Sequence, residues 1–146
     1  MSLIAVGSLA FALNVGAKGS EPLGDIEAGR EIYGRCLACH AIDYDRVGPR
    51  HCGLFGRRAG SVPGVAYSNA MKESGIVWGT ETLNTFLGDP LGVVPGTFMT
   101  YAGVASPKER RQLIAWLEFA TSQEQCGNRG RKQEDPTTPG SFSEMD

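Results

Sequence analysis

Cys36-Leu37-Ala38-Cys39-His40 is a C-x-x-C-H run, the attachment signature of a c-type haem. Two thiols three residues apart on a helical turn can each form a thioether to one vinyl group of the same porphyrin, and the adjacent imidazole then sits under the iron. A zinc site would need a second pair of ligands at metal spacing, and Cys52, Cys126 and His51 are too scattered to supply one. A thioredoxin-type motif would follow a buried strand, whereas the residues before Cys36 read as helix. The run predicts one covalent haem c, held by Cys36 and Cys39, with His40 as an axial ligand.

Length and composition bound what surrounds it. A chain of 146 residues fits one domain, with the haem filling much of a modest apolar core. The 14 Lys and Arg against 16 Asp and Glu leave a formal charge of −2, which argues against nucleic acid or an anionic membrane surface as partner. Residues 1–17 are almost wholly apolar and uncharged after Met1 and read as a signal peptide, with Val15-Gly16-Ala17 as a small-residue cleavage site, although no Lys or Arg precedes Leu3. An uncleaved anchor is the rival reading, and only then would a membrane be involved; the stretch is short for a span. Residues 18–24 form a linker, 25–126 the haem domain, and 127–146 a polar tail rich in Pro, Gly and charge, expected to be disordered. Export to the periplasm agrees with the haem motif, because bacterial thioether attachment takes place outside the cytoplasm.

Within the domain the signals are helical, separated by long Gly- and Pro-rich loops, and nothing alternates like a sheet. Asp25 is expected to cap a helix whose apolar face runs Ile32, Tyr33 and Leu37, with Gly29 on the same side where another helix could approach. Ser68 and Gly75 bracket a short helix around Ala70 and Met71. Thr80 is expected to cap a helix burying Leu83, Phe86 and Leu87, which Pro90 ends. Ser106-Pro107-Lys108-Glu109 reads as a capping box opening a helix with Leu113, Ile114, Trp116 and Leu117 inward. The fold class is all-α, about four to five helices and long loops wrapped around one haem.

A sixth iron ligand separates an electron carrier from an open site for chemistry. Met1 is an initiator and Met145 lies in the polar tail, which leaves Met71 and Met99. Met71 has the apolar spacing of a core residue. Met99 sits in the loop Val94-Pro95-Gly96-Thr97-Phe98-Met99, where a soft thioether suits a low-spin haem of raised potential.

The ordered segments GDIEAGREIYGRC, CLACH, VGP, GLFGR, PGVAYS, GIVW and PGTFMTYAG, followed by an amphipathic helix, resemble the class I c-type cytochromes, above all the bacterial cytochrome c2 and mitochondrial cytochrome c group. The resemblance covers about Gly24 to Gln123. It implies the cytochrome c fold, thioethers at Cys36 and Cys39, and axial ligation by His40 and Met99. It further implies a Pro49 carbonyl that accepts a hydrogen bond from the ligand imidazole. Arg57, Tyr67, Trp78 and Thr97 would surround the haem propionates, and Gly29, Tyr33, Leu113 and Trp116 would form the crossing of first and last helices. In that fold Cys52 and Cys126 lie near each other, which implies a disulfide worth roughly 4 kcal/mol. His51 is expected at the surface.

The departures bear on function. Phe86 stands where many members have a Tyr whose hydroxyl contacts the Met sulfur, Met71 replaces an Asn tied to buried water, and Leu91, Gly92 and Phe98 replace lysines around the haem edge. The expected function is that of a periplasmic, monomeric, monohaem electron carrier rather than an enzyme, docking through short apolar contact with a redox partner. A bc-type complex, an oxidase, a photosynthetic reaction centre and a periplasmic dehydrogenase all fit as partners. The alternative is the haem subunit of an oxidoreductase complex, of dehydrogenase or peroxidase type; no distal His or Arg pair beside Met99 is available to handle peroxide.

Overall fold

A computed structural model describes residues 23–122 and 124–127. The expected signal peptide or anchor, residues 1–17, lies outside the described residues, as do most of the linker and the tail beyond Gly127. The described chain runs through five helices: α1 (Leu23–Tyr33), α2 (Asn69–Glu73), α3 (Thr80–Gly88), α4 (Pro90–Val93) and α5 (Pro107–Ala120). A 3-10 turn, Gly34–Cys36, extends α1 into the C-x-x-C-H run. Among the described residues the only extended pairing is an isolated antiparallel bridge between Arg58 and Val77. The all-α expectation holds.

The core is built where α1 crosses α5. Gly29 sits at the crossing because nothing larger fits: a Cβ there would lie 2.1 Å from the Gln112 carbonyl oxygen and 2.6 Å from Trp116 Cβ. The close approach lets Ile32, Tyr33, Leu113, Ile114, Trp116 and Leu117 bury one another, each at 8% exposure or less. At about 1.5–3 kcal/mol per fully buried large apolar side chain, this cluster outweighs any local helix preference. The rings of Tyr33 and Trp116 pack with centroids 4.3 Å apart. Polar ties frame the contact, with Gln112 Nε2 donating to Asp25 Oδ1 at 2.8 Å. α3 packs against α5 and is tied to it by Arg110 Nε donating to Asn84 Oδ1.

Two helix starts follow the sequence signals. The Ser68 hydroxyl accepts from the Met71 N–H to cap α2, and the Ser106 hydroxyl accepts from the Glu109 N–H to cap α5 behind Pro107. Others depart from them. α1 begins at Leu23, so Asp25 lies in its first turn and spends its carboxylate on Gln112. Gly79, not Thr80, is the N-cap of α3, and the hydroxyl of Thr82 accepts the Gly79 N–H at 2.8 Å. The carboxylate of Glu109 pairs in a two-pronged contact with Arg35 rather than closing a capping box, because a guanidinium 74 residues away satisfies both its oxygens. Leu37 lies past the end of α1 and is 47% exposed rather than inward.

After α5, Cys126 lies in a short helical turn over 124–127 and meets Cys52 within bonding distance, their Cα atoms 5.8 Å apart. Gly53 N–H donates to the Thr121 carbonyl beside this link. The end of the domain is thereby laced to the loop that follows His40.

Candidate haem site

The C-x-x-C-H run leaves the 3-10 turn as a further tight turn, with both the Cys39 and His40 N–H groups donating to the Cys36 carbonyl at 3.1 and 2.9 Å. This places Cys36, Cys39 and His40 on the wall of one cavity of about 660 Å³. Its other walls come from elements far apart in sequence: Tyr67 and Met71 around α2, Leu83, Phe86 and Leu87 of α3, Thr97 and Met99 of the following loop, and Leu113 and Leu117 of α5. A volume in the ~300–1,000 Å³ range, lined mainly by apolar side chains with a few polar groups, is that of a cofactor site.

His40 is fixed before any metal is considered. Its Nδ1 lies 2.8 Å from the Pro49 carbonyl oxygen, which can only accept, so Nδ1 carries the hydrogen. Burial lowers the His40 pKa against the opposing pull of that carbonyl, with the Arg57 charge lowering it further. The ring is neutral, and the Nε2 lone pair is the one left to serve as a ligand. Gly48 lies directly against the ring: a Cβ there would be 2.4 Å from Cε1 and 2.8 Å from both nitrogens, over the ring rather than beyond its edge.

Burial pushes the Cys36 thiol up to about 11, so at neutral pH it is a protonated thiol. The reactive thiolate of a redox motif has that value lowered instead, which speaks against the redox reading of the motif. Among the described residues no group of three or more His, Cys, Asp and Glu could hold a metal ion.

Met99 is carried on a Pro95-Gly96 turn closed by the Thr97 N–H donating to the Val94 carbonyl at 3.0 Å, with Gly96 at φ +89° as the turn requires. The Thr97 hydroxyl accepts the Met99 N–H at 3.2 Å, so this buried threonine braces the methionine loop, a contact the sequence did not reveal. Met71 is buried and faces the same cavity, as expected of a core methionine. Phe86 is buried with its ring 5.0 Å from Trp78, and Met99 packs against their cluster, which offers its sulfur no hydroxyl from that position. Arg57 is on the wall, but two of its nitrogens donate to the Cys52 and Arg50 carbonyls, at 2.9 Å each. Burial raises the phenol pKa of Tyr67 and keeps it protonated.

One residue is not where the sequence put it. His51, expected at the surface, is turned inward on the cavity wall, its ring stacked on His40 with centroids 4.4 Å apart and planes 21° apart. Its Nδ1 shares a hydrogen bond with the Tyr33 hydroxyl at 3.1 Å, which offsets part of the cost of burying a polar ring. Burial drives its pKa well below 6.5.

Known proteins decide the family. The chain is 40% identical to cytochrome c of Sesamum indicum over 105 residues, 69% of this chain and 95% of that protein. The chain is a class I c-type cytochrome. It is also 43% identical to cytochrome c type-1 of Ascaris suum over 100 residues, 66% of this chain and 89% of that protein. Cytochrome cH from Methylobacterium extorquens superposes with a TM-score of 0.63 at 39% identity, over 66% of this chain and 99% of that one. No protein-family model matches the chain. As a cytochrome c it is a monohaem electron carrier, not an enzyme, with haem c covalently bound. The cavity fits that group: thiols at its wall, a neutral imidazole with its free nitrogen in place, and walls from every helix but α4.

Proposed function

We propose that this cytochrome carries electrons in the periplasm through a haem whose axial ligands are His40 and Met99, with no open coordination position. The observation that carries the reading is the convergence of Cys36, Cys39, His40 and Met99 on one cavity, Met99 from a different wall. The haem supplies the one-electron couple. Cys36 and Cys39 would hold it by thioethers, Pro49 holds the Nδ1–H of His40, and Gly48 leaves room for the ring. The Pro95-Gly96 turn and Thr97 present the Met99 thioether, a soft ligand that favours the ferrous form and raises the potential. Arg57, Tyr67, Trp78 and Thr97 serve as the surroundings of the propionates.

Electron exchange requires a partner to reach the haem edge, and Phe98 (68% exposed) and Val47 (83% exposed) both line the cavity and face solvent. Two of the nearby arginines are paired with carboxylates, Arg35 with Glu109 and Arg50 with Asp45. The face suits short apolar contact with a redox protein such as a bc-type complex, oxidase, reaction centre or dehydrogenase. We further propose that residues 1–17 direct export, and that Cys52 and Cys126 form a disulfide in the oxidising compartment that follows.

Adding carbon monoxide to the ferrous protein tests the closed site. The spectrum is expected not to change at neutral pH, because both axial positions are filled; stoichiometric binding would mean an open iron and an enzyme-like or gas-binding role.

A further inference from the structure

The cavity wall behind His40 carries a second imidazole that covalent attachment, ligation and docking do not use. The loop 48–52 doubles back along the residues it follows: Gly48 N–H donates to the Cys39 carbonyl at 2.7 Å, His51 N–H to Ala41 at 3.0 Å and Cys52 N–H to Ile42 at 2.6 Å. Three backbone bonds in register turn residue 51 inward, onto the ring of His40. The loop cannot drift outward, because Arg57 holds the Arg50 and Cys52 carbonyls and Cys126 holds Cys52 from the other side.

The inward ring is then anchored. Tyr33, 3% exposed, bonds His51 through its hydroxyl and meets it edge to face at 5.7 Å, while packing on Trp116 at the α1/α5 crossing. An unbroken series of ring contacts thus runs from the helix crossing to the candidate ligand: Trp116, Tyr33, His51, His40. The Pro49 carbonyl fixes where the His40 Nδ1–H points, yet a single hydrogen bond tolerates rotation of the ring about it. A flat neighbour at stacking distance does not. An aliphatic side chain would fill the same space without a plane to match, and would have no bond to Tyr33.

We infer that His51 is a positioning residue, which through its stack on His40 and its bond to Tyr33 sets the plane of the imidazole beneath the iron. The inference rests on the proposed ligation by His40. It makes no use of a charge change at His51.

In the ferric holoprotein, the spread of the four haem-methyl proton resonances reports the orientation of the axial ligand planes, and the methionine-to-iron charge-transfer band reports the ligands themselves. His51→Leu and Tyr33→Phe are measured beside Ile114→Val, an equally buried change off the cavity wall that sets the baseline for loosened packing. Both variants are expected to keep the band and to alter the methyl spread well beyond that baseline, His51→Leu more than Tyr33→Phe. If His51→Leu does not fold, Tyr33→Phe decides, since it keeps both rings and removes only the anchor. A methyl spread at the baseline in the variants that fold, with only a lower melting temperature, overturns the inference and makes His51 packing alone. Absence of the band in the wild type overturns ligation by Met99 alone, and the methyl spread of the variants against the baseline still decides this inference.

Discussion

Replacing both Cys52 and Cys126 by serine removes the proposed link between the loop after His40 and the end of α5, and its cost can be worked from the chain. The two residues are 74 apart in sequence. In the loop-entropy account a closed loop of that size removes ~15 cal/mol/K from the unfolded ensemble, or about 4.4 kcal/mol at 25 °C. Native disulfides in small exported domains contribute about 2–5 kcal/mol, so the figure sits at the upper end. Against a total stability of ~5–15 kcal/mol this is a large share. A domain of this size has a urea slope near ~2 kcal/mol/M, so the midpoint should fall by roughly 2 M. At ~4 °C per kcal/mol for about 100 residues the melting temperature should drop by about 18 °C. Urea titration followed by the recovery of Trp78 and Trp116 fluorescence, which haem quenches in the folded protein, reads the midpoint. Because the effect arises in the unfolded state, the slope should also rise slightly as the denatured chain expands. A midpoint shift worth less than about 1 kcal/mol, or two titratable thiols in the purified wild type, would refute the reasoning.

Two further outcomes concern the haem edge and its surroundings. Phe86→Tyr places a hydroxyl in the cluster against which Met99 packs, and is expected to shift the midpoint potential measurably; equal potentials in the two proteins would show that the sulfur does not sense this position. The rate of electron exchange with the physiological partner is expected to fall only weakly with added salt, since Phe98 and Val47 edge the site and Arg35 and Arg50 are already paired, whereas a steep loss would indicate steering by charge.

What could be read from the sequence was what depends on local offsets. Five residues proposed the cofactor and an axial ligand, Pro90, Ser68 and Ser106-Pro107 marked helix ends that the structure keeps, and Gly29 announced a close helix approach. The misses share a cause, which is a partner distant along the chain. Asp25 looked like a cap by position, but Gln112 of α5 takes its carboxylate. Glu109 had the spacing of a capping box, but Arg35 offers two bonds from a charged donor where the box offers one from a neutral N–H. Thr80 yielded the N-cap to Gly79, whose N–H the Thr82 hydroxyl accepts, a choice between neighbours that composition cannot make. His51, flanked by Arg50 and Cys52, carried no periodic signal of burial. Only the register of the loop against Ala41 and Ile42, with Tyr33 waiting inside, turns it inward.

The central claim is that Met99 closes the second axial position. Met71 also lines the cavity, so the two sulfurs are set against each other by the near-infrared side of the ferric absorption spectrum in Met99→Ala and Met71→Leu. The methionine-to-iron charge-transfer band of the wild type is predicted to vanish in Met99→Ala and to persist in Met71→Leu. Persistence of the band in Met99→Ala would contradict the account.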